Sequence, residues 1–521
     1  MSQGDGAGGM SRTRRAGAAL GLRYLSTAIS LAIALVSTPL LLEWLGPTRY
    51  GMFRVSLDYL GYASLLEFGI GGVLMARFAK AYAAGDRGAT VGLIRNGSRA
   101  YLRTGGFAAA LILGLVVAAP WLVRIPEDGG SALTDELRIG LLVALVGVAW
   151  WPLAPLQNLA YAEQRGYHAQ IATILQSLTT VGVALWLART TGHLAGQFGA
   201  VVIGAGVFYL YLAWDALRRY PELLSRSAGA GVVVEPDRAP ATATMMFLYA
   251  ACTQLSVNSD SIVVGLVLGA DAVVPFTLTQ RLLLIVDLQI LAIGAVTWSV
   301  LSEYLHRGEP GVFHRRLTSL TRLTAVFGFA LLVPTAAATP AFVRLWVGPA
   351  GYGGTALTAA TFGCTALHGL IALWAGPLVG MGRVRAVLPV MLVGLAVNLT
   401  TSVAATAWLG VCGPAIGTLA NYAGVSAWWL PFVLRREFGT PLRPLFRAVF
   451  YPLALAIPYT VGLFAFAEAF PPDELDLPRW GRWAVLAGAM AAASSGYLIL
   501  GWLLVLPREE REELRRRVFR R

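Results

Sequence analysis

Lysine is almost missing from this chain. Lys80 is the only one among 41 basic residues, and Ala81 follows it, so there is no GK[ST] phosphate loop and no P-loop nucleotide site. Cysteine is nearly as scarce: Cys252, Cys364 and Cys412 fall inside or beside apolar runs, and three isolated thiols make neither a disulfide framework nor a metal signature. The five histidines, His168, His193, His306, His314 and His368, show no ligand spacing with one another. No nucleophile elbow, zinc-helix motif or Gly-rich dinucleotide turn stands out. The cluster Asp473, Glu474 and Asp476 would suit a metal-dependent membrane glycosyltransferase or polymerase, yet it lies in a short loop with no soluble domain to shape a sugar pocket. These absences argue against an enzyme, a cofactor and a metal centre.

Charge is scarce as well. Of 521 residues 56% are hydrophobic and only 13% charged, which is far from the usage of a soluble domain. A spanning helix needs roughly 20 predominantly apolar residues, and the chain supplies such runs about fourteen times. The runs are continuously apolar and not alternating, so an all-α polytopic membrane protein is expected and a barrel is not. Spans are read near 19–45, 50–77, 104–124, 137–160, 168–188, 194–216, 241–268, 272–302, 318–342, 355–380, 386–408, 411–434, 447–468 and 483–506. The net charge of +13 is scattered over many short loops, which points to anionic headgroups of membrane lipids and away from nucleic acid. Residues 1–15 carry Gly, Ser and Arg with no cleavage pattern, so the first helix is read as its own insertion signal.

The arginines give an orientation. The N-terminus, the even-numbered loops and the C-terminal tail collect 31 of the 41 basic residues against 7 in the odd-numbered loops, with Arg23, Arg54 and Arg281 inside spans. By the positive-inside rule both termini are cytoplasmic. The segment with Lys80, Arg87, Arg95, Arg99 and Arg103 then reads as a topology determinant, and also as an entry site for an anionic lipid headgroup. A polar break from Arg218 to Pro240 divides six spans from those that follow. The expected organisation is a cytoplasmic segment 1–18, an N-lobe 19–216, a linker 217–240, a C-lobe 241–434, helices 13 and 14 within 435–506, and a tail 507–521 read as solvated or as an interfacial helix.

A weak internal repeat supports two lobes. Leu45-Gly46 and Phe53 match Leu268-Gly269 and Phe276 at a constant offset of 223 residues, as a parallel duplication of six spans would give. On this offset Asp58 and Arg281 are equivalent with opposite charge, so they would pair across the lobes in one state and separate in another.

Several faces suit a cavity. Arg23, Ser26, Ser30 and Ser37 fall on one stripe of the first span, and Tyr249, Thr253, Ser256 and Asp260 on one stripe of the seventh. Arg54 and Asp58 are four apart and can pair along the helix; a structural ion pair and a cavity role stay equally open. Asp287 and Gln280 share a face with Gly294, as a polar helix contact or a cation site would. Glu67 is close enough to the inner interface to snorkel. Serine stripes and the spacings Gly265/Gly269, Gly376/Gly380 and Gly413/Gly417 read as close helix packing.

The run Leu45 to Asp86, with its LG…YGMF, DYLGYASLLEFGIGG and ARFAKAYAAGD, resembles the start of polysaccharide flippases of the Wzx or polysaccharide-transporter type, in the superfamily of multidrug, oligosaccharidyl-lipid and polysaccharide exporters. LGADAVVPFTLTQRLL, Leu268 to Leu283, resembles the start of that family's second lobe. The resemblance implies two six-helix lobes in a V around a central cavity, plus two C-terminal helices. It implies a flippase of a bacterial cytoplasmic membrane that moves a polyprenyl-pyrophosphate-linked oligosaccharide outward for surface polysaccharide assembly, together with other assembly proteins. Arg54 and Arg281 would meet the pyrophosphate, with Arg23 and Arg77 nearer the entry. Asp58, Asp260 and Asp287 nearly balance those arginines, which departs from a strongly cationic cavity and offers acids for a coupling proton or sodium ion. An ion-coupled multidrug or small-cation exporter of the same superfamily is the alternative.

Overall fold

The computed structural model describes residues 12–67, 69–125, 130–225 and 240–519. All regular structure among them is helical, because each backbone N–H and C=O in hydrocarbon must be satisfied within its own segment. In chain order the helices are α1 (Arg12–Gly61), α2 (Ile70–Ala84), α3 (Arg87–Leu122), α4 (Gly130–Val146), α5 (Pro155–Ala162), α6 (Gly166–Thr191), α7 (Leu194–Arg219) and α8 (Pro240–Val267). They continue as α9 (Ala270–His306), α10 (Pro310–Val347), α11 (Thr355–Gly380), α12 (Val384–Leu409), α13 (Gly413–Asn421), α14 (Ala427–Phe438), α15 (Leu442–Ala469), α16 (Arg479–Leu500) and α17 (Arg508–Phe519).

Ten helical stretches among the described residues are long and apolar enough to cross a membrane, and a bent pair, Gly130–Leu153 with Pro155–Ala162, makes an eleventh. Two of the ten, Leu25–Glu67 and Val384–Phe438, have 43 and 55 residues and each holds two of the expected spans or most of them. The chain is a multi-pass membrane protein. Its contacts divide it into two compact units, Met1–Phe247 and Leu248–Arg521. Most of the expected linker and the N-terminal residues 1–11 lie outside the described residues.

In the first unit α1 packs on α6, α6 on α7, and α4 on α7. The serine stripe of α1 is spent on this contact: Ser26 Oγ donates to Gln170 Oε1 at 3.1 Å, and Ser30 Oγ lies 3.2 Å from Ser177 Oγ. Span 2 departs from the expected continuous helix over 50–77. It runs to Gly61, tightens into a 3₁₀ turn at Tyr62–Glu67, and resumes as α2 after Gly69, whose φ of 75° is left-handed. The loops sort by parity. At one end Glu136 accepts both arms of Arg49 at 2.8 Å and the Leu194 amide at 3.2 Å, which joins loops 1, 3 and 5. At the other end Arg87 reaches Glu222 and the Arg219 carbonyl, which joins loops 2 and 6.

In the second unit α10 is the hub, with most of its apolar stretch buried. It packs against α9, α11, α15 and α16, and Phe313, Leu317, Phe329, Trp374 and Tyr497 close the core around it. The two extra C-terminal spans therefore build onto the ninth. The tail is helical over Arg508–Phe519: α17 is tied to α10 by Glu510 and Arg322 at 2.6 Å, while Arg508, Glu509, Glu512 and Arg515 are exposed.

Two of the three glycine pairs mark close packing. A Cβ on Gly417 would lie 2.1 Å from Ser402 Oγ, and one on Gly413 would lie 2.2 Å from the Thr406 amide nitrogen, so α13 rides directly on the backbone of α12. Gly380 and Gly376 face Ser302 and Trp298 of α9 in the same way. Gly265/Gly269 is different, because Gly269 is not in a helix: it breaks the chain between α8 and α9 with φ 104° and ψ 171°.

Candidate functional site

Charged residues in a spanning helix must be positioned by neighbours that offset the cost of charge at that depth. In the first unit Arg54 Nη2 lies 3.3 Å from Asp58 Oδ1, one turn along α1. The Asp58 side chain is 10% exposed and that of Arg54 43%, so the carboxylate is enclosed while the guanidinium reaches outward. Arg77 sits half-buried on α2. Arg23 lies on α1, but its side chain is outside the described residues. Glu67 does not snorkel freely: it is half-buried in the 3₁₀ turn, where the Tyr101 hydroxyl donates to it at 3.4 Å.

The second unit holds the denser polar cluster. Asp287 is buried on α9, and both of its oxygens lie within 3.0 to 3.1 Å of His368 Nδ1 on α11. The imidazole stacks on Tyr422, with ring centroids 5.4 Å apart and planes at 12°. Tyr422 opens a π-helical turn, Tyr422–Ser426, between α13 and α14, and such turns interrupt helices frequently at functional sites. Asp287 thus makes a polar contact between α9 and α11, with Gly294 further along the same interface facing the Leu373 backbone.

Asp260 on α8 is the second acid. Thr418 Oγ1 donates to its Oδ2 at 3.2 Å, Asn398 Nδ2 donates to Thr418 Oγ1 at 2.9 Å, and Ser402 Oγ lies 3.3 Å from Asn398 Oδ1 and 3.4 Å from the Pro414 carbonyl. Asn398 and Ser402 are completely buried, and Gly417 lets α13 approach close enough for the chain of contacts to form. Thr418, which meets Asp260, and Tyr422, on which the imidazole held by Asp287 stacks, are four residues apart across the end of α13, so the two acids belong to one neighbourhood. Carboxylate, amide, hydroxyl and carbonyl oxygens are the donor types that suit hard cations. Arg281, on α9, is exposed.

A third cluster escaped the sequence reading. Asp215 of α7 is 5% exposed and accepts from Arg165 at 2.9 Å and from Arg219 at 2.7 Å. Arg219 also pairs with Glu163, itself 2% exposed, and Glu163 accepts from the Tyr220 hydroxyl. His168 joins through its Nε2, which meets Arg165 and lies 3.5 Å from Asp215 Oδ1, while its Nδ1 lies 2.8 Å from the Tyr211 hydroxyl. Gln164, between Glu163 and Arg165, has φ 57°, a left-handed backbone that an ordinary residue adopts at a cost. This network locks loops 4 and 6 of the first unit to each other.

The acidic cluster of loop 13 does not gather into a metal centre: Asp473 pairs with Arg344 at 3.3 Å, Asp476 is exposed, and no group of three or more His, Cys, Asp or Glu residues among the described residues is placed to hold a metal ion.

No family model and no curated protein sequence matches the chain. Solved structures do. The lipid II flippase MurJ in an inward closed conformation superposes with a TM-score of 0.62 at 10% identity, covering 93% of this chain and 99% of that one. An inward-facing multidrug resistance MATE transporter of the MOP superfamily gives 0.55 at 15% identity, covering 79% of this chain and 97% of that one. The Vibrio cholerae MATE transporter VcmN, as a point mutant, gives 0.51 at 17% identity, covering 82% and 99%. The fold is that of these transporters and flippases.

Proposed function

We propose that this chain is a flippase of a bacterial cytoplasmic membrane, with both termini inside, that carries a polyprenyl-pyrophosphate-linked oligosaccharide outward by alternating access for surface polysaccharide assembly. The observation that carries this reading is the extent of the fold match: the lipid II flippase accounts for 93% of this chain, whereas the two MATE transporters account for 79% and 82% although they are matched almost completely themselves. Residues beyond a MATE-sized body are thus shared with a protein named for flipping lipid II. Inverted or duplicated lobes with a site near the membrane midplane are the usual architecture for such movement. Arg54 and Arg281 are the residues assigned to the pyrophosphate, Arg23 and Arg77 to the entry side.

The coupling ion is assigned to the second unit. Asp260, with Thr418, Asn398 and Ser402, supplies hard oxygen donors for a cation, while Asp287 with His368 supplies a proton-exchanging pair. Asp58 ranks below them because Arg54 already balances its charge. The test is translocation in proteoliposomes of a fluorescent polyprenyl-pyrophosphate oligosaccharide under sodium and proton gradients. Replacing both Arg54 and Arg281 with Gln is expected to abolish it. Undiminished flipping by that variant overturns the assignment of the arginines.

The second reading, an ion-coupled multidrug exporter, draws support from the MATE folds and from the acids of the second unit. It predicts efflux of organic cations that survives the arginine replacements and is lost with Asp260→Asn.

A further inference from the structure

A cavity of about 300 Å³ opens between α10, α15, α16 and the loop that follows α15, a size at the lower end of ligand pockets. Its body is apolar. Pro334, Ala337 and Ala341 of α10 present small side chains, and Leu463, Ala489 and Met490 face them from α15 and α16. α15 and α16 are tied to each other beside it, where the Tyr459 hydroxyl donates to the Ala493 carbonyl at 2.7 Å and the Tyr497 hydroxyl to the Pro452 carbonyl at 2.7 Å.

The mouth is charged and unbalanced. One arginine, Arg344, lines it with three carboxylates, Glu468, Asp473 and Glu474. The Asp473 side chain is 9% exposed. Its Oδ2 meets Arg344 Nη1 at 3.3 Å, long for a charge-assisted bond. Its Oδ1 is buried and accepts no hydrogen bond among the described residues, a demand that a buried carboxylate does not leave unmet without cost. The neighbouring cations do not answer it: Arg479 donates to the Leu345 carbonyl, and Arg482 to the carbonyls of Leu475, Leu477 and Asp473.

We propose that this cavity binds an aminophospholipid, with an acyl chain between α10 and α15/α16, the protonated primary amine at Asp473 with Glu468 and Glu474 around it, and the phosphate beside Arg344. A primary ammonium brings three N–H donors on a compact charge. That is what Oδ1 lacks, on a carboxylate that lines the cavity. The zwitterion also matches the two signs of charge at the mouth, and the chain fits the apolar body. On the orientation given by the arginines this is the outer leaflet. None of the residues lining it is assigned to transport, and the site does not rest on the identity of the cargo.

The test compares phosphatidylethanolamine with phosphatidylcholine of the same acyl chains, which differ only in the N–H groups of the head, and with phosphatidylglycerol. Each is titrated into the purified full-length protein in detergent while the melting temperature is followed. Phosphatidylethanolamine is expected to half-saturate at about ten-fold lower concentration than phosphatidylcholine, as loss of a charge-assisted hydrogen bond predicts. Asp473→Asn should erase the gap, and Asp476→Asn, at an exposed residue outside the cavity, should keep it. Equal response to the two lipids, a stronger response to phosphatidylglycerol, or a preference that survives Asp473→Asn overturns the proposal. Should Asp473→Asn fail to fold, native mass spectrometry of the wild-type protein from an equimolar lipid mixture decides: preferential retention of phosphatidylethanolamine supports the site, and equal retention overturns it.

Discussion

Gly46 and Gly269 break the chain with the same backbone conformation, 223 residues apart. The first has φ 77° and ψ 164°, the second φ 104° and ψ 171°, a region open essentially to glycine alone. Each follows a leucine and separates consecutive helical segments in its own unit, so the sequence repeat has a local conformational counterpart. Replacing either glycine with alanine should cost about 1–3 kcal/mol through backbone strain. Gly488→Ala, at a helical glycine with no atoms within 4 Å of a new Cβ, should be neutral or slightly stabilising. Thermal melts of the three variants check this.

Asp215 is the shared acceptor of Arg165 and Arg219. Asp215→Ala leaves two guanidiniums without it in a part-buried site, and breaking such a pair costs about 3–5 kcal/mol. The melting temperature should fall steeply, and limited proteolysis should cut first near residues 163–165.

His368→Ala should strip Asp287 of its imidazole on a buried face of α9, at about 1–3 kcal/mol. His368→Gln, which retains a donor, should recover part of the loss. Equal melting temperatures for the two variants would show that the contact is only steric.

Asp260→Asn should remove the response of transport to an imposed ion gradient while the protein still folds, because Thr418 can continue to donate to the amide oxygen. Asp58→Asn should leave that response in place. Gradient-driven uptake in proteoliposomes, with melting temperatures measured in parallel, separates the two.

Membrane class and most span positions were legible because hydropathy alone decides them. So was the close approach at Gly376/Gly380 and Gly413/Gly417, since small residues four apart on an apolar helix have few other uses. Partnerships across the fold were not. Asp287 and His368 are 81 residues apart, and nothing in the spacing of either announces the other. Asn398 and Ser402 gave a usable signal, two polar residues four apart inside an apolar span, but on sequence alone it is no stronger than the serine stripe of α1, which turned out to serve packing. The Glu163–Arg219 network hid among charges that the topology rule already explained. The break in span 2 hid because Tyr62–Glu67 is apolar enough to pass for helix.

That break has a consequence for the solvent around it. Peptide groups released from regular helical pairing are tolerated at membrane depth only where protein or water receives them, and Ser64 and Gly69 at the break are exposed. A break of this kind in the first unit is expected to face water or protein rather than acyl chains, and a polarity-sensitive probe attached at position 64 checks it: a lipid-like emission there would count against the expectation.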